Sequence, residues 1–118
     1  MLDLRTRLAA AVLAVLPVAA HAHAHLNAST PAENAAVPAP DEVSLRFTQA
    51  LEKNFSSVEV RDAGGRRVDD GKLHTDGGPA ALAIGLPKLA PGRYEVIWHA
   101  TSVDTHRTEG KFFFSIVP

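Results

Sequence analysis

The chain has 118 residues and a mass of 12.5 kDa, enough for one globular domain and too little for two. Its 12 lysines and arginines against 13 aspartates and glutamates give a formal charge of −1, so no basic surface argues for nucleic acid or anionic lipid. There is no cysteine, so disulfides, zinc–thiolate sites, iron–sulfur clusters, blue-copper centres and thiol nucleophiles are excluded together.

Residues 1–22 have the order of a secretory leader. Arg5 and Arg7 give a positive start, and Leu8 to Ala20 is an unbroken run of apolar residues and one proline. That run is shorter than the roughly 20 residues needed to span a bilayer. Small-residue cleavage sites follow at Ala20, Ala22 and Ala24. The expectation is a signal peptide over 1–22 and a mature domain over 23–118, exported to the periplasm, not embedded in a membrane, and monomeric. Loss of Arg5, Arg7 and Asp3 leaves 10 basic and 12 acidic residues, and loss of Met1 leaves a mature chain without sulfur.

Residues 29–42 hold Pro31, Pro38 and Pro40 and predict irregular structure. Val43 to Thr48 alternates apolar and polar residues at a period of two, the mark of a half-buried strand, and Val58 to Arg61 repeats it before the turn Asp62-Ala63-Gly64-Gly65. Between them, Ala50 to Phe55 has room for one helical turn. Lys72 to Thr75 is a weak strand. Leu82, Ile84 and Leu86 alternate again, Pro91-Gly92 turns the chain into Tyr94 to Trp98, and Phe112 to Val117 closes it. About seven short strands in so short a chain predict an all-β sandwich of two sheets. Its inward residues are Leu45, Phe47, Val58, Val60, Leu82, Ile84, Tyr94, Val96, Trp98, Phe112 and Phe114.

The 6 histidines are the chemical feature of the chain. His21 leaves with the leader, His74 reads as a solvated surface residue, and His99 faces away from the side that Trp98 buries. If cleavage falls after Ala22, His23 becomes the first residue, and its α-amine and imidazole can chelate one metal ion through a closed ring. Both are nitrogen donors suited to Cu(II) or Ni(II) in a tetragonal field. His25, two residues on, projects to the same side of an extended chain. Far along the chain, Asp104-Thr105-His106 offers a carboxylate and an imidazole at the same i, i+2 spacing, among Thr101, Ser102, Thr105 and Thr108. Either pair alone is weak, since a His-Ala repeat at a cleavage site or a surface Asp–His hydrogen bond would look the same.

Together these residues resemble the CopC family of periplasmic copper-binding proteins. Tyr94-x-Val96-x-Trp98, then Ser102-x-Asp104-x-His106, Gly110 and Phe114, is similar to its C-terminal signature. His23-Ala24-His25-Leu26, running into Ser29 to Asn34 and later Leu45-x-Phe47, is similar to its mature start. The resemblance implies a Greek-key β-sandwich of the immunoglobulin or cupredoxin kind that binds Cu(II) near one end. It implies a ligand set of His23 (amine and imidazole), Asp104 and His106, with His25 as an additional or axial candidate. It further implies copper sequestration, or delivery to an inner-membrane transporter of the CopD type, in copper homeostasis and resistance. Members with a second, methionine-rich Cu(I) site set a pattern this sulfur-free mature chain cannot follow. The competing enzyme reading is a small copper-dependent oxygenase of the histidine-brace type, which uses the same terminal chelate but needs a flat substrate-binding face. A third reading, a plain adhesion sandwich, makes the histidine pattern accidental.

Overall fold

Period-two alternation builds the structure, a computed structural model that describes residues 23–118; the leader assigned to residues 1–22 lies outside the described residues. Eight strands form: β1 (Leu26–Thr30), β2 (Ala36–Val37), β3 (Glu42–Phe47), β4 (Ser57–Arg61), β5 (Leu73–His74), β6 (Ala81–Gly85), β7 (Gly92–Thr101) and β8 (Arg107–Ile116). They lie in two sheets, with orders β1-β3-β6-β5 and β2-β8-β7-β4. Only the β5–β6 and β7–β8 connections stay within one sheet, so the chain crosses the sandwich at every other step, in the Greek-key manner that the resemblance implies. Among the described residues no helix is long and apolar enough to cross a membrane.

The core is the set of inward positions. Leu45, Val60, Leu82 and Val96 are fully buried, as are Val58, Ile84, Phe112 and Phe114 within a few per cent. Tyr94 is buried with its hydroxyl donating to Ala90 O at 2.6 Å, so its one polar atom is satisfied. Trp98 meets Phe47 edge-on across the sandwich, with ring centroids 5.2 Å apart at 72°. Opposite Trp98 on β8 stands Gly110, where a Cβ would come within 2.6 Å of the indole Cζ2. The glycine is required by this close approach of the ring. Gly110→Val is therefore expected to cost about 1–3 kcal/mol through overpacking, read as a lower urea midpoint together with a shifted emission from the single tryptophan.

Two local expectations are corrected and a third is met. The stretch 29–42 is not wholly irregular: β1 runs into it and β2 lies within it. Neither shows alternation because neither forms on its own account. β1 is an edge strand pairing with β3 through a register shift between Leu26 and Ala28, and β2 adds two residues parallel to the end of β8. The predicted helical turn is a single 3-10 turn, Lys53–Phe55. His74 is half-buried, with Nε2 3.3 Å from Glu42 Oε1 and Nδ1 3.2 Å from Asp76 Oδ2, and is not the solvated histidine expected.

The outer edge of β4 is closed by a side chain. Val68 N–H donates to Val60 O at 2.8 Å, and the Val60 N–H donates to Asp69 Oδ2, also at 2.8 Å. The carboxylate thus stands where a ladder carbonyl would, and it also accepts from Gly71 N–H and Arg67 Nε. Burial pushes the Asp69 carboxyl up, but Arg67 and the two N–H donors outweigh it and hold the value below the usual carboxylate range. A depressed folded value gives stability that is present above the unfolded value of about 3.9 and is lost as pH falls through the folded one. Asp69→Asn should thus cost about 1–3 kcal/mol at neutral pH. It should also flatten the acid limb of the stability profile below pH ~4, both measured by urea denaturation across pH.

Candidate metal centre

Two distant pieces of chain meet at one end of the sandwich. The first is the arm His23-Ala24-His25 that leads into β1. Ala24 is fully buried and acts as its plug, which turns the flanking His23 and His25 outward to solvent. Three hydrogen bonds fasten it. Thr108 Oγ1 on β8 donates to Ala24 O at 2.7 Å, and the His25 N–H donates to Thr48 Oγ1 at 2.9 Å. Thr48 N–H returns a bond to His25 O at 2.9 Å.

The second piece is the β7–β8 hairpin loop. Ser102 N–H donates to His106 O at 2.9 Å and Thr105 N–H to Ser102 O at 2.8 Å, leaving a three-residue tip of Val103, Asp104 and Thr105. Thr105 takes a left-handed backbone (φ 74°), a strained state for a β-branched residue and the position where such loops favour glycine. Asp104 and His106 come together through this reversal and not through the extended i, i+2 alternation expected of the segment. The His106 Nδ1 to Asp104 Oδ1 separation is 3.3 Å.

Ser102, fully buried at the end of β7, holds the carboxylate: its hydroxyl donates to Asp104 Oδ1. That hydrogen bond is the main reason the Asp104 carboxyl lies below its usual range. Burial, the next largest influence, opposes it, and the His106 side chain and N–H add to the lowering. A lowered value keeps Asp104 anionic at neutral pH, which is the state a cationic ligand requires.

The two pieces touch through their imidazoles. The His23 ring stacks on that of His106 with centroids 4.6 Å apart at 22°, and the His25 ring lies 6.4 Å from that of His23. His23 thus meets His106, and His106 meets Asp104, while the His25 ring neighbours that of His23; His74 and His99 sit elsewhere, on other partners. Among the described residues no group of three or more histidine, cysteine, aspartate or glutamate side chains is placed so that it could hold a metal ion as it stands. The stack itself explains this. A metal ion must lie close to the plane of each ring that binds it, and two stacked planes tilted by 22° at this spacing meet only beyond bonding distance. One exposed ring has to turn before both can share an ion. The donor set is nitrogen and carboxylate oxygen, which suits a divalent borderline metal in a tetragonal field. Thr48 has no signal in the sequence as part of this site, because it joins only through the tertiary path of the arm.

The CopC domain profile matches residues 26–117. Protein YobA of Escherichia coli K12 is 32% identical over 117 residues, covering 97% of this chain and 94% of that one. Copper resistance protein C of Escherichia coli is 30% identical over 106 residues, covering 82% of this chain and 83% of that one. Among solved structures, CopC from Methylosinus trichosporium OB3b superposes with a TM-score of 0.72 at 33% identity, over 81% of this chain and 95% of that chain.

Proposed function

The chain belongs to the CopC family, and on that premise we propose that it handles copper in the periplasm. In this reading it is a carrier and not an enzyme. Cleavage after Ala22 frees the His23 amine; that amine, the His23 and His106 imidazoles and the Asp104 carboxylate grip one Cu(II) ion, with His25 in reserve. The bound ion is held out of circulation or passed to an inner-membrane transporter of the CopD type. The observation that carries this reading is the contact of the His23 ring with that of His106, 4.6 Å apart although the residues lie at opposite ends of the mature chain.

The chemistry asked of the site is capture. Three nitrogens and an anionic oxygen match the preference of Cu(II), and the negative Asp104 favours the cupric over the cuprous state. Ser102 keeps that carboxylate ionised and aimed. Tyr94 and Trp98, the rings a sugar-oxidising face would draw on, are withdrawn into the core, which supports a carrier over a histidine-brace oxygenase.

The test begins with intact mass of the exported protein, which should start at His23. Titrated with Cu(II), it should take up one equivalent with a nitrogen-rich tetragonal EPR spectrum. Adding one residue ahead of His23 should weaken binding, because the amine leaves the chelate ring. Equal binding by the extended protein would defeat the chelate.

A further inference from the structure

The terminal tripeptide could hold copper by itself. A chain that begins X-X-His can wrap Cu(II) or Ni(II) in a square of the amine, two backbone amide nitrogens and the third-residue imidazole; each amide releases its proton to water as it bonds the metal. With His23 first, His23-Ala24-His25 has that sequence. In this mode the hairpin is not needed, and the ion would be sequestered away from Asp104 and His106.

The fold opposes it. One of the two amides required is the His25 N–H, which donates to Thr48 Oγ1 at 2.9 Å, while the His25 carbonyl accepts from Thr48 N–H. Between the two histidines, Ala24 is fully buried and its carbonyl is bound by Thr108 Oγ1 at 2.7 Å. Wrapping the ion would require the arm to give up the Thr48 bond, draw Ala24 from the core and break its tie to β8. The same clasp presents the His23 ring to His106 and leaves His25 exposed to solvent.

We infer that Thr48 and Thr108 are positioning residues that select the copper geometry, barring the self-contained tripeptide mode so that His23 must share the ion with the hairpin. This rests on the proposed Cu(II) site and on His23 as the first residue. It assigns the two threonines a role in specificity of binding mode, which sequence position alone would not suggest.

Ni(II) alone is the probe, because it turns low-spin and yellow when amide nitrogens complete the square. The protein used is one whose mass shows that it starts at His23. Folded wild-type protein should give no low-spin Ni(II) signal, and the same protein unfolded in urea at the same pH should give it in full. Thr48→Val, which removes one exposed hydroxyl, should develop the signal while folded, with extra protons released per metal ion; Thr48→Ser should restore the wild-type behaviour. Thr108→Val should act in the same direction. A low-spin signal from folded wild-type protein, or none from folded Thr48→Val, would overturn the inference. Dependence of Cu(II) binding on His106, measured separately on wild-type protein, reports on the site itself and so separates the two failures.

Discussion

His106→Ala should lower the affinity for Cu(II) by about 100-fold or more, since even residues that merely orient a metal ligand commonly cost 10–100-fold when removed. The melting temperature of the metal-free protein should stay within about 4 °C of wild type. The separation of the two effects follows from the position of the ring. It is half-exposed, packs against the His23 ring at the rim, and lies outside the buried cluster that holds the sheets together. The loop that carries it is closed by backbone bonds between Ser102 and His106 and between Thr105 and Ser102, which the substitution leaves in place. Isothermal titration with Cu(II) against a chelating competitor, paired with thermal unfolding, reads both quantities. A fall in stability matching the fall in affinity would assign His106 to the fold and remove it from the site.

Trp98→Ala should do the opposite, costing about 3–5 kcal/mol of stability, a large share of the 5–15 kcal/mol typical of a whole domain. The indole is almost fully buried, packs edge-on against Phe47 and lies across Gly110, which has no side chain with which to fill the space left behind. The cavity would therefore open between the sheets at the middle of the β7–β8 pair, the hairpin that carries Asp104 and His106. Copper binding should weaken only as far as the folded fraction falls. Urea denaturation should show excess Cu(II) recovering part of the lost stability, because a ligand that binds the native state alone draws the equilibrium toward it. A stable Trp98→Ala protein with impaired copper binding would place the indole's role in the site and not in the core.

The sandwich follows from strands such as β3, β4 and β7, whose alternate residues are apolar and whose burial follows that alternation. β8 was legible only over its second half. Its first half, Arg107 to Lys111, faces solvent with charged residues and faces the core with Thr108 and Gly110, because Trp98 from the neighbouring strand already occupies the space. The edge strands β1 and β2 were not legible, since their partners and not their own patterns hold them extended.

What the residues alone determined is the class of chemistry and the class of fold: a chain with no cysteine, a His-Ala-His arm, an Asp-Thr-His segment and period-two strands. Side-chain type and local periodicity are properties a sequence carries on its face. Only the folded chain decided that the arm and the hairpin share one end of the sandwich, that Asp104 meets His106 through a turn with Thr105 left-handed, and that Thr48 and Thr108 pin the arm between them. These depend on which strands become neighbours across the two sheets, a choice made by burying Ala24 and the aromatic core together, and no local stretch of residues contains it.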